Sequence, residues 1–133
     1  MLTAEQLKTE LSQFNGTENY YKHSLGFSYT DGINFLAENA ECYWLLDAIG
    51  SYQPQLRANT MLRDFQLWLL VVGNNHPFIK PEAESMAVLT CWEDTPVPGT
   101  KPAVSQDLPF TDFPIDEIKL YFEFGVLLLP SER

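Results

Sequence analysis

Asp64-Phe65-Gln66-Leu67-Trp68-Leu69-Leu70-Val71-Val72 carries apolar side chains on both of its alternating sets, Phe65, Leu67, Leu69 and Val71 on one and Trp68, Leu70 and Val72 on the other. Gly73-Asn74-Asn75 closes it. A run of this length and pattern reads as a strand, and a strand apolar on both faces is covered on both. Residues 86–92 and 104–110 are expected as two further strands, the second setting Val104, Gln106, Leu108 and Phe110 against Ser105, Asp107 and Pro109. Thr95-Pro96-Val97-Pro98-Gly99-Thr100-Lys101-Pro102 between them demands a loop. Three strands joined by loops favour an antiparallel meander.

Upstream, the chain reads mainly as helix. Thr3-Ala4-Glu5-Gln6 fits a capping box, with Leu2 and Leu7 at the staple positions. Leu7, Leu11 and Phe14 then share a face, and Asn15-Gly16 supplies the stop. Residues 19–29 are compatible with a short strand, since Tyr21, His23 and Leu25 alternate with Lys22 and Ser24. Thr30-Asp31-Gly32 reads as a cap, followed at helical spacing by Ile33, Leu36, Ala37 and Ala40. After an irregularity at residues 39–41 a second helical stretch carries Trp44, Leu45, Ala48, Ile49 and Tyr52 up to Pro54. One bent helix and two separate helices both fit.

Residues 113–122 are ambiguous. Ile115, Ile118 and Phe122, Pro114 at the start, acids in the first turn and Gly125 beyond the end favour a helix. Ile118, Leu120 and Phe122 also alternate as a strand would, but the helix is preferred across residues 114–124. Val126-Leu127-Leu128-Leu129 is then a last short strand. The expected fold is a single α+β domain over residues 1–133: a small, mainly antiparallel sheet of about four to five strands with about four helices on one or both faces.

The chain has 133 residues, 18 acidic and 8 basic, for a net charge of −10. Eight scattered basic residues offer no stripe to displace counterions from phosphates, which argues against direct nucleic-acid binding. Charged residues are only 20% of the chain, so the imbalance reflects missing Lys and Arg rather than surplus carboxylates. That favours a solubility role for the charge over a specialised acidic face. The longest unbroken apolar run, residues 67–72, is far short of the roughly 20 residues that span a bilayer, and residues 1–20 hold no secretory core. A soluble, cytoplasmic protein without membrane contact is expected.

The pieces Tyr29-Thr30-Asp31-Gly32, Ala40-Glu41-Cys42-Tyr43-Trp44-Leu45-Leu46-Asp47-Ala48-Ile49, Phe65-Gln66-Leu67-Trp68, Thr111-Asp112-Phe113-Pro114 and Leu127-Leu128-Leu129-Pro130-Ser131-Glu132 together resemble an uncharacterised bacterial domain-of-unknown-function family. The likeness covers residues 16–132. It implies a small stand-alone bacterial protein and carries over no activity, cofactor or catalytic residue.

His23 is the best single candidate for chemistry, because histidine titrates near neutrality. A hydrolytic site would use His23 as base, Cys42 or Ser24 as nucleophile and Asp31 or Asp47 as the orienting carboxylate. No nucleophile elbow, phosphate-binding glycine loop or HExxH motif accompanies them. A structural histidine explains His23 more economically. Asp47, inside the most apolar helix, needs a hydrogen-bonding partner if part of it is buried, and a structural partner is favoured over a ligand. His23, His76, Cys42 and Cys91 lack metal-site spacing, and the two cysteines read as buried thiols, so neither metal nor cofactor is expected.

Aromatic residues number 18, and Tyr20, Tyr21, Tyr29, Tyr43 and Tyr52 are candidates for a pocket or partner surface. Phe78-Ile79, in the connection of residues 74–84, is either an interaction tip or tucked onto the sheet. The leading functional expectation is a non-enzymatic protein that binds a protein partner, with monomer and homodimer both open. The alternatives are a hydrolase-type enzyme or a small-ligand-binding domain with its site around His23. A variant in which carboxylates mimic DNA phosphates requires acids lined up across one surface.

Overall fold

A computed structural model describes residues 2–133. Three helices, α1 (Ala4–Leu11), α2 (Asp31–Asn39) and α3 (Tyr43–Ser51), are followed by the single turn α4 (Gln53–Leu56). Seven strands form one sheet: β1 (Tyr20–Lys22), β2 (Ser28–Thr30), β3 (Phe65–Val72), β4 (Ala87–Trp92), β5 (Val104–Leu108), β6 (Glu117–Glu123) and β7 (Val126–Leu128). Their order is β1-β2-β7-β6-β3-β4-β5, antiparallel throughout except for the parallel pair β2–β7. The α+β class holds. The sheet is larger than the four to five strands expected and is mixed, and the fourth helix is only one turn.

The apolar run of residues 65–72 is the fully flanked strand that its pattern demands: β3 lies between β6 and β4, with six of its eight residues buried. Strands β3, β4 and β5 make the expected meander. On one face Trp68, Leu70, Leu89, Cys91, Leu120 and Phe122 join the helical side chains Leu7, Leu36, Leu45, Leu46 and Ile49 in the main core. On the other face Leu67, Leu69, Val71, Val88 and Trp92 form a smaller cluster closed by Ile79. A loop, not a second helical layer, covers this side. Ile79 has tucked back, while Phe78 stays 36% exposed.

Residues 114–124 depart from the helical reading. Glu117–Glu123 is strand β6, alternating buried Ile118, Leu120 and Phe122 with more accessible neighbours. The period-two pattern prevails because two partners are available, β3 on one side and β7 on the other. Residues 19–29 likewise divide into β1 and β2, joined by a turn in which Gly26 has φ 99°.

The helix signals at the other end hold. Thr3 caps α1 through a complete capping box with Gln6. Thr30 caps α2 by accepting the Ile33 amide proton at 3.3 Å. Glu41, at φ 51°, separates α2 from α3, so the stretch is two helices and not one bent one.

Two polar devices tie these layers together. Gln66, fully buried on the helix-facing side of β3, exchanges two 2.8 Å hydrogen bonds with Gln53 of α4 and accepts one from the Trp68 indole. Both amides are thereby paired, which offsets the cost of burying them. At the C-terminus the Glu132 carboxylate accepts from the Thr30 hydroxyl at 2.6 Å, the Gly32 amide at 3.1 Å and the Leu129 amide at 3.0 Å. A carboxylate at the first turn of α2 also meets the positive end of the helix dipole.

Candidate functional site

The β1–β2 turn projects His23 toward α3. Its Nε2 lies 2.7 Å from Asp47 Oδ1, and its Nδ1 accepts the Leu25 amide proton at 3.0 Å. The backbone donor at Nδ1 fixes the neutral ring as the Nε2–H tautomer, donating to Asp47. The ring stacks on Phe27, 4.6 Å between centroids. Both nitrogens are thus engaged, and no lone pair is left to take a substrate proton.

Of the other residues grouped with His23 for hydrolysis, only Asp47 meets it. Asp47 is largely exposed rather than buried, and its hydrogen-bonding partner is this imidazole. Cys42 is fully buried and its thiol donates to the Leu36 carbonyl at 3.6 Å. Burial, reinforced by the Asp112 charge, pushes that thiol up to about 12. Ser24 is exposed on the turn. Asp31 accepts from the amides of Glu18 and Asn19, the Asn19 side chain and the Tyr21 hydroxyl. The Glu18 amide, with the Tyr21 and Asn19 donors, holds its carboxyl down to about 2. Asp31 therefore fastens residues 17–21 to the start of α2.

The tyrosines do not form one surface. Tyr21 and Tyr29 stack at 5.5 Å on the helix-facing side, and Tyr43 lies nearby, its phenol raised by burial and by Glu38. Tyr20 alternates to the opposite face of β1 and is 64% exposed. Tyr52 packs over Trp68 and donates to Gln106 at 2.8 Å. His76 is folded into its own loop, its Nδ1 accepting the amides of Phe78 and Ile79. Among the described residues no group of three or more His, Cys, Asp or Glu is placed to hold a metal ion. At the two ends of β6, Glu117 lies 3.9 Å from His76 Nε2 and Glu123 pairs with Arg133.

Two concave regions stand out. The larger, about 700 Å³, lies between residues 14–19 and α2 and includes Asp31, whose acceptor capacity is already filled. The second, about 610 Å³, is lined by Leu25, Phe27, Arg57, Arg63, Phe122 and Phe124 among others. Two of its lining residues pack closely on Gly50 of α3: a Cβ there would stand 2.7 Å from the Phe27 ring and 3.0 Å from Leu25 Cδ1, so a larger residue would push the turn off the helix. Phe27 also packs on Phe122, 5.6 Å between centroids.

One wall is the β6–β7 hairpin tip, Phe124-Gly125, with φ 48° and 82°. Positive φ at both central residues defines the I′ turn that favours Asn-Gly. A phenylalanine here is 78% exposed, yet it is held firmly, since its amide donates to the Asp64 carbonyl at 3.0 Å and the Ser28 amide donates to the Gly125 carbonyl at 2.9 Å. Leu25, 49% exposed, faces the same groove from the β1–β2 turn. Sequence patterning passes over both residues, because a bulky apolar side chain carries no turn signal; only the glycines beside them do.

The chain belongs to a family of unknown function (DUF6876), whose match spans residues 5–133. No curated protein and no solved structure matches it.

Proposed function

We propose that the protein works by binding another protein, and that the contact is made at the groove between the β1–β2 turn, Arg57, Arg63 and the β6–β7 hairpin tip. The observation that carries this reading is Phe124. A full side chain in the left-handed region costs roughly 1–2 kcal/mol, and an exposed aromatic ring contributes nothing to the core in return. Strain kept at an exposed apolar tip is what a binding anchor would need. Leu25 extends the apolar patch, and the engagement of both His23 nitrogens is consistent with a rigid platform instead of a proton-transfer centre.

Site-specific photo-crosslinking in the producing cell tests it, with benzoylphenylalanine placed at position 124, 25 or 110. Phe110 is 77% exposed and follows β5, whose Leu108 pairs with Ala87 at the opposite end of the sheet. Discrete protein adducts are expected from positions 124 and 25 and not from 110. No adduct from 124, or the same adducts from all three, would overturn the reading.

A further inference from the structure

The chain has three arginines in a net charge of −10, and two of them, Arg57 and Arg63, line this groove. The third, Arg133, is occupied elsewhere, paired with Glu123 and stacked 4.3 Å from the Tyr121 ring centroid. Arg57 follows α4, is exposed, and among the described residues has no carboxylate within 4.0 Å and no side-chain hydrogen bond. Arg63 has only its neighbour Asp64, 3.6 Å away, with both side chains about half exposed. Each guanidinium thus retains free donors beside Leu25 and Phe124. The planar guanidinium fork matches a carboxylate, while the exposed leucine and phenylalanine offer apolar area.

From this juxtaposition we infer that the groove receives a segment of a partner protein in which Asp or Glu side chains flank a bulky apolar residue. Resting on the binding reading above, it adds the partner's chemistry. The apolar residue enters between Leu25 and Phe124, over Phe27 and Phe122, and the neighbouring carboxylate takes the Arg57 fork. A volume of about 610 Å³ accommodates a few residues and not a folded domain. The net negative charge opposes an acidic partner at distances up to about a Debye length of 8–10 Å. Selection for acid therefore has to come from the guanidinium contacts themselves and not from long-range steering.

Three terminally capped synthetic peptides test the assignment: one alternating Glu with Phe, one alternating Lys with Phe, and one alternating Glu with Ser. Binding is followed by amide chemical-shift changes of Leu25, Phe27, Arg57 and Phe124. The Glu/Phe peptide is expected to shift these amides, and the other two are not. In the Arg57→Glu/Arg63→Glu variant its affinity should fall about tenfold or more, as expected for loss of charge-assisted contacts, and the Lys/Phe peptide should gain. Arg57→Gln alone, which removes no internal bond, should weaken Glu/Phe binding in the same direction. Equal binding of the Lys/Phe peptide, an unchanged preference after charge reversal, or no binding of the Glu/Phe peptide would overturn the inference. If position 124 still crosslinks a protein, such a failure leaves the binding reading standing; loss of that crosslink removes both.

Discussion

Phe124 can be separated from the fold by a substitution that improves the backbone. Asn fits the first position of an I′ turn better than any aromatic residue, so Phe124→Asn should relieve strain and raise the unfolding free energy in urea by about 1 kcal/mol. With the photo-crosslinker at position 25, the same variant should lose its protein adduct. A fall in stability instead would mean that the ring packs in the fold and is not kept for binding. Asp31 supports a second prediction, in acid. Its carboxyl is held at about 2 against an ordinary 3.8. A carboxyl lowered by folding contributes stability above its unfolded value and loses it as pH falls through its folded value. Wild type and Asp31→Asn should therefore differ by a constant amount above pH 3.8 and converge between there and about 2, measured by urea unfolding at stepped pH. A gap that persists at the acid end would show that the charge is not what Asp31 contributes. Sequence named Asp31 or Asp47 as the carboxylate that would orient His23; that it is Asp47, 24 positions away, is decided by how the β1–β2 turn rests on Gly50, which no local pattern encodes.

Joining the first turn of α2 to the chain's last turn depends on one missing methyl. A Cβ at Gly32 would stand 2.6 Å from both Glu132 Oε1 and Leu129 Cδ1. Gly32→Ala should therefore push the C-terminal clasp away and cost about 1–3 kcal/mol, as overpacking typically does. Glu132→Ala removes the same clasp by deleting its carboxylate. Because both substitutions break one contact, their costs should overlap: the double variant should be less destabilised than the sum of the singles in denaturant unfolding. Simple additivity would show that Glu132 and α2 are not energetically coupled. This clasp is built from the pieces containing Thr30-Asp31-Gly32 and Leu129-Pro130-Ser131-Glu132, and a capping reading of Thr30 alone was legible without its distant partner. Residues 113–125 show the opposite limit. Pro before and Gly after an apolar segment mark a helix when read locally, but Gly125 answers the positive φ of a hairpin just as it would answer that of a helix end. Only the open edges of β3 and β7 decide between them, and those lie outside the segment.

For the whole molecule, the layers differ in how they are held. Helices α1, α2 and α3 cover one face of the sheet through a continuous apolar core, whereas the other face is closed by one loop through Ile79. Cooperativity across the helical side can be read from the two thiols. Cys42 stands between α2 and α3, Cys91 on β4 between β3 and the edge strand β5, and both are fully buried in the same core. Burial pushes each thiol up to about 12, so neither access nor thiolate is available in the native state at neutral pH. Alkylation then requires opening. If helices and sheet open as one unit, Cys42 and Cys91 should be protected by the same free energy, equal to that from urea unfolding, and Gly32→Ala should lower both together. Mass spectrometry of iodoacetamide-treated protein, with the two tryptic sites quantified separately, distinguishes the cases. Earlier labelling of Cys42 would mean that the helical layer lifts from an intact sheet. That outcome would also bear on the groove, because Leu25 and Phe27 of its lining rest on Gly50 of α3: a layer that lifts readily would let Leu25 move relative to Phe124, and a binding surface built across that seam would no longer be preformed.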